Sequence, residues 1–165
     1  MFGNELDMLE GRLGELNDVV DRHVLVESRT THRGALKPLW YEESKERFAP
    51  WHDKILHVVT DLPSHPDPWV REHAQRDAAV EALDVIAADD DVVVIADVDE
   101  FWPQGFDFSA VNQSNPAVSF RQRLAMYAVN WEHPEPHVCT VAARWSALKG
   151  KSLAAGRDNR HAYSV

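Results

Sequence analysis

Several things are scarce in this 165-residue sequence, and each scarcity excludes a class of protein. It has one cysteine, Cys139; no internal disulfide can form, and a reducing, cytoplasmic setting is the expectation. No apolar run approaches the ~20 residues a membrane-spanning helix needs. The opening Met1-Phe2-Gly3-Asn4-Glu5 has neither the basic nor the apolar region of a secretory leader. Basic side chains are outnumbered, 17 Lys and Arg against 27 Asp and Glu, for a formal charge of −10. That balance excludes non-specific binding to nucleic acid, whose phosphates would be repelled. Repeats, low-complexity tracts and Gly/Ser linkers are missing, so the length fits one domain at roughly 100–200 residues per domain. The 44% of hydrophobic residues suffices for a core. An acidic chain that handles a phosphorylated ligand needs a cation to neutralise it.

The pattern that is present alternates helices and strands. Leu6, Leu9, Leu13, Leu16 and Val20 recur at steps of three and four, which predicts a helix ending near Asp21, with Asn4 as its N-cap. His23–Ser28 and Ile55–Thr60 are apolar runs expected to be strands, with a short helix between Glu42 and Trp51. Pro63, Pro66 and Pro68 enforce an extended loop, and a long helix is predicted from Trp69 to Ala87. Val92-Val93-Val94-Ile95-Ala96 is apolar at every position, the pattern of a strand covered on both faces and expected at the centre of a parallel sheet. Beyond it, strands are expected over Ala117–Trp131 and Val138–Trp145. The fold expected is α/β and Rossmann-like, with a mostly parallel central sheet and a more β-rich C-terminal part. Residues 1–102 would form a nucleotide-binding half and 103–165 a partial acceptor-side half. A doubly wound sheet normally opens on a strand, whereas this chain opens beside a helix cap.

The strongest local signal is Asp97-Val98-Asp99-Glu100, directly after the buried strand. Strand residues two apart point to one side, so Asp97 and Asp99 are expected to aim two carboxylates at one point. Carboxyl ends of parallel strands are where α/β sheets bind ligands. Hard oxygen ligands there suit Mg²⁺ or Mn²⁺ shared with a substrate phosphate. Two enzyme classes use such a pair. In haloacid-dehalogenase-like phosphatases the first Asp is a nucleophile, but the motif opens the chain and needs a late pair of adjacent acids at a strand end, which this sequence lacks. In nucleotide-sugar transferases of the GT-A type the pair holds a metal against the donor's diphosphate.

Several segments decide for the second class: Phe2 to Glu10 with Arg12-Leu13, Val26-Glu27-Ser28, Gly34 with Lys37-Pro38-Leu39, Lys45 to Phe48, Trp69 with Arg71-Glu72 and Gln75-Arg76, Asp97 to Glu100, and Asn130-Trp131. In this order and spacing the sequence resembles glycosyltransferase family 17. The resemblance implies a GT-A fold, a UDP-sugar donor (UDP-N-acetylglucosamine), a glycan or other hydroxyl acceptor, a divalent cation (Mn²⁺ or Mg²⁺) and inversion. It implies that Asp97 and Asp99 bind metal and donor, and that Glu27, Arg71, Gln75 and Arg76 face the nucleotide. It also implies that the chain is short at both ends, lacking an opening strand and a C-terminal segment, so that a catalytically incomplete nucleotide-sugar-binding domain is the alternative.

Trp102 and Trp131 are expected saccharide contacts, because aromatic rings stack on sugar faces, and Asn130 is placed with them through the matching Asn130-Trp131 segment. An inverting transfer needs a general base, and Glu100, Glu132 and Glu135 are the candidates nearest in sequence. His57, on an apolar strand, is expected to be a core histidine with its hydrogen bonds satisfied, and Cys139 a small buried hydrophobe.

Overall fold

A computed structural model of the chain describes residues 2–102, 105–127 and 130–160. Helix α1 (Leu6–Leu16) is amphipathic and buries Leu9, Leu13 and Leu16. Its N-cap is Glu5 rather than the expected Asn4, and no side chain caps the helix. Glu5 instead turns back, its Oε2 accepting from the amides of Gly3 and Asn4.

Strand β1 (His23–Ser28) pairs in parallel with β2 (Ile55–Thr60), residue for residue from His23 opposite Ile55 to Ser28 opposite Thr60. Between them lie α2 (Trp40–Glu43) and a 3-10 segment, Lys45–Lys54, that accommodates Pro50. The helix expected over Trp69–Ala87 is two helices, α3 (Pro68–Asp77) and α4 (Ala79–Ile86), meeting at Ala78. The side chain of Asp67 caps α3 by accepting from the Trp69 amide, with Pro68 at the first helical position.

Strand β3 (Val92–Ile95) belongs to a second sheet, of order β3-β5-β4, built with β4 (Ala117–Gln122) and β5 (His137–Arg144). Both pairings in it are antiparallel. The expectation of a mostly parallel sheet is corrected accordingly: β1 with β2 is the parallel pair among the described residues. An apolar run shows that both faces of a strand are covered, but not which way its neighbour runs. The expected strand from Ala117 stops at Gln122 and passes into a hairpin closed by the Ala125–Glu132 bridge. Residues 128 and 129 of that stretch lie outside the described residues. Two short helices follow, α5 (Trp145–Leu148) and α6 (Leu153–Asp158), the second capped by Ser152.

Three apolar clusters result. Leu9, Leu13, Leu25, Phe48 and Val98 gather on the α1 side of β1. Ala79, Leu83, Ile95, Trp145 and Leu153 gather on the α4 side, with Val24 and Val26 against them. Leu16, Trp102, Val118 and Phe120 form a third beneath the antiparallel sheet. Alternate residues of β1 thus face helices on both sides, the layering of an α/β fold.

Candidate functional site

Two loops leave the carboxyl ends of β1 and β3 and line one cleft of about 620 Å³. From β1 come Thr30, Thr31, His32 and Lys37; from β3 come Asp97, Val98 and Asp99. The start of α1 (Phe2 to Glu5, Met8) and one face of α3 (Glu72, Gln75) supply the remaining walls, with Trp40 at one side. Because residues following both strands meet there, β1 and β3 point the same way, and the cleft is the crevice where open α/β sheets take ligands.

The Asp97–Glu100 segment is not a continuation of the strand. Strand β3 stops at Ile95, and the Glu100 amide donates to the Asp97 carbonyl at 3.1 Å, closing a turn. The alternation that would place Asp97 and Asp99 on one side does not operate in a turn, and their environments differ. Asp99 is exposed and lines the cleft. Asp97 is clamped: Arg76 reaches its Oδ1 at 3.1 Å and Arg157, from α6, its Oδ2 at 2.9 Å. Burial alone would raise the Asp97 carboxyl, but the surrounding cations, Arg157 and Arg76 among them, outweigh it and hold it well below the usual carboxylate range.

Glu100 points away from the cleft and is saturated. Its Oε2 accepts from the Asp97 amide (3.0 Å), Thr140 Oγ1 (3.0 Å) and Arg157 Nη1 (2.9 Å), and its Oε1 from Arg157 Nη2. Arg12, from α1, donates to the carbonyls of Asp97 (3.3 Å) and Glu100 and lies 5.1 Å from the Trp102 ring. Burial lowers the Arg12 guanidinium to about 10, against the opposing pull of Glu100, Asp97 and Asp99. Three arginines from three helices therefore fix the acidic turn.

The other expected site residues fall into distinct places. Gln75 is fully buried and bridges three elements: its Nε2 donates to the carbonyls of Val26 (3.0 Å) and Phe2 (3.3 Å), and its Oε1 lies 2.9 Å from His32 Nε2. Arg71 is a clip outside the cleft lining, donating to the His32 carbonyl (2.8 Å) and the Pro63 carbonyl (3.2 Å). Its guanidinium lies 3.2 Å from the point a β-carbon at Gly34 would occupy, and Gly34 has φ +86°, so only glycine fits that turn without strain. Glu27 has no exposed surface; Oε1 accepts from the Tyr41 amide (3.1 Å) and Oε2 lies 2.9 Å from His57 Nε2. His57 Nδ1 lies 3.2 Å from Glu42, so the ring is satisfied at both nitrogens.

Trp102, expected at a saccharide, is instead a core residue, packed against Phe108 and Phe120. Asn130 and Trp131 lie on the exposed hairpin, where the Trp131 ring stacks 5.3 Å from Tyr127. Glu132 pairs with Arg123 on the same hairpin, and Glu135 is exposed in the loop that follows; neither lines the cleft. Carboxylates that do line it, besides the acidic turn, are Glu5 and Glu72, which sequence reasoning did not single out. Nor did it single out Lys37 as a site residue. Burial lowers the Lys37 ammonium, opposed by Glu27 and Glu5. The signal for Lys37 was its place in the loop just after β1. Arg157, some sixty residues beyond the acidic turn, carried no signal in the sequence.

Among the described residues no three His, Cys, Asp or Glu side chains form a ready metal cage. The donor set is one exposed carboxylate, Asp99, beside a second that is paired with arginines. That set fits a Mg²⁺-like ion, which takes one or two carboxylates and completes its shell with water and substrate phosphate.

Fold and cleft define an α/β protein with a polar crevice at its strand ends. A family model, glycosyltransferase family 17, matches residues 1–147. The chain belongs to that family. It is similar to the beta-1,4-mannosyl-glycoprotein 4-beta-N-acetylglucosaminyltransferase of Rattus norvegicus, 30% identical over an alignment of 144 residues that covers 81% of this chain and 27% of the relative. The Homo sapiens protein of the same name is 30% identical over 142 residues, 79% of this chain and 26% of the relative. That of Mus musculus is 29% identical over 144 residues, 81% and 27%. The chain spans about a quarter of the length of the curated relatives it matches. No solved structure matches it.

Proposed function

We propose that the chain is the donor-binding part of a glycosyltransferase of the GT-A type, which takes a UDP-sugar, N-acetylglucosamine by analogy with its relatives' names, and passes the sugar to a glycan hydroxyl with inversion. The observation that carries this reading is the single cleft in which Asp97 and Asp99 meet Lys37, His32 and Gln75 at the carboxyl ends of β1 and β3. Asp99 would hold a divalent cation, Mn²⁺ or Mg²⁺, joined by Asp97 where a ligand displaces an arginine from it. When bound, such an ion supplies charge neutralisation to a leaving diphosphate. Lys37 adds a fixed positive charge beside that diphosphate. Thr30 and Thr31 offer hydroxyls, and His32, oriented by Gln75, a ring nitrogen for the nucleoside side of the donor.

Isothermal titration with UDP tests the reading. Binding should require Mn²⁺ or Mg²⁺ and weaken at least about tenfold in Asp99→Ala, the loss of roughly one charge-assisted contact. Unchanged, metal-independent binding in that variant removes Asp99 from the site.

A second reading, nucleotide-sugar binding without turnover, is favoured by one observation: Glu100, Glu132 and Glu135 all lie outside the cleft lining. A transfer and donor-hydrolysis assay with UDP-N-acetylglucosamine separates the two, because any turnover excludes the binding-only reading.

A further inference from the structure

Glu27 stands near the carboxyl end of β1, fully buried, and does not line the cleft. A charge placed there is costly to desolvate, and apolar residues of similar volume often serve stability as well or better. What Glu27 holds is α2. That helix has four residues and no side-chain cap, and the first amides of any helix lack partners within it. Glu27 Oε1 accepts from the Tyr41 amide at 3.1 Å, reaching 14 residues along the chain. Glu27 Oε2 lies 2.9 Å from Nε2 of His57, on β2. Nδ1 of the same ring lies 3.2 Å from Glu42, which pairs with Lys45 at 2.6 Å. The Tyr41 and His57 rings meet with centres 4.7 Å apart. Residues 41 and 42 are therefore pinned to both strands of the parallel pair, and the residue just before them is Trp40.

Trp40 is what this anchoring presents to the cleft. It is half-buried, packs against the apolar cluster that holds Leu9, Phe48 and Val98, and lines the cleft. Among the described residues no other tryptophan and no tyrosine lines it. Trp40 shares the β1 wall with Thr30, Thr31 and His32, whereas Asp97 and Asp99 come from the β3 wall. A nucleoside diphosphate whose phosphates face Asp99 turns its other end toward the β1 wall. We propose that Trp40 is the stacking face for the planar base of that ligand and that Glu27 is its positioning residue. Glu27 acts through the Tyr41 amide and His57, without touching the ligand. The inference rests on the donor-site reading above. It accounts for a buried carboxylate beside a cleft that it does not enter. Stacking on an indole ring is a strong and base-tolerant contact, because every base has a π-face. A ring serves it only when its backbone is held still, since ordering it on binding would cost affinity.

The test compares UDP with inorganic pyrophosphate, which lacks the base, by isothermal titration of the full chain in Mn²⁺. Trp40→Ala should weaken UDP at least about tenfold and leave pyrophosphate within about twofold. Trp40→Phe should restore most of the loss, because a ring returns. Glu27→Ala should also weaken UDP without weakening pyrophosphate. Glu27→Gln keeps an acceptor for the Tyr41 amide and should bind both ligands as the unsubstituted chain does. If Glu27→Ala does not fold, the Trp40 variants still decide the stacking role, and Glu27→Gln weakening UDP as much as Trp40→Ala overturns the positioning role. Equal loss of both ligands in Trp40→Ala, or no loss of UDP, overturns the proposal. So does a loss seen with UDP-N-acetylglucosamine and not with UDP, because the ring then meets the sugar. An unsubstituted chain that binds neither UDP nor pyrophosphate removes the donor-site reading itself, and this inference with it.

Discussion

The acidic turn Asp97–Glu100 and the hairpin around Tyr127 and Trp131 both follow a strand, and they resolve opposite problems. The turn takes carboxylates partly out of water. Its solution is to recruit Arg12, Arg76 and Arg157 from three separate helices. The hairpin leaves apolar rings in water, Tyr127 89% and Trp131 63% exposed, and they pack on each other. Tyr127 also sits at φ 64°, a backbone conformation that β-carbon-bearing residues rarely adopt. A buried charge without a partner destabilises by several kcal/mol, whereas an exposed ring costs little. The turn therefore ties three helices to the end of β3, whereas the two rings of the hairpin stand on its surface.

Removing Arg157 should break the comparison most severely. Arg157→Ala takes the Arg157 partner from Asp97 and Glu100 at once, leaving Arg76 on Asp97 and the Asp97 amide and Thr140 on Glu100; a loss of about 3 kcal/mol is expected from urea unfolding, the low end of the usual cost of breaking a buried pair from one side. Acid should act next. Burial, seconded by Arg12 and Lys54, holds the His23 ring at about 4, while the unfolded chain protonates it near 6.5. Between those values the unfolded state binds the extra proton, so stability should fall by on the order of 2 kcal/mol as pH drops from about 6.5 to 4. His23→Gln should flatten that window in a pH series of denaturation curves. The contribution of Asp97 has the depressed-carboxylate sign. It is complete above the unfolded value near 3.9 and disappears only as pH falls further through the folded one.

Arg12→Lys should be milder, about 1–2 kcal/mol, because an ammonium cannot span both turn carbonyls and lie against Trp102. Trp131→Ala should change Tm least, within about 0.5 kcal/mol equivalent. A large loss there would show that the hairpin is structural after all.

The sequence made some of this legible. His23–Ser28 and Ile55–Thr60 are strands with the expected bounds, because short apolar runs between polar breaks leave little freedom. The break at Ala78 was invisible, since neither glycine nor proline marks it. Asp97 and Asp99 stood out as a pair, yet their division into a clamped and an exposed acid depends on Arg157, whose helix α6 has no apolar periodicity to announce it. Trp102 was misassigned for a related reason: an aromatic beside a motif is near it along the chain, and only packing decides whether its ring meets ligand or core.

Gly34 and Arg71 have a mechanical corollary. The guanidinium of Arg71 grips the loop at His32 and Pro63, and Gln75 grips it again at the His32 ring. Thr30 to His32 and the Glu72–Gln75 face of α3 are thus fastened into one wall. The other wall, from Gly3 to Met8, is tied to this one through the Gln75 side chain at the Phe2 carbonyl, and the chain enters α1 there without a side-chain cap. Widening the cleft from that side would cost that one glutamine contact, whereas widening it from the α3 side would cost the Arg71 and His32 contacts together.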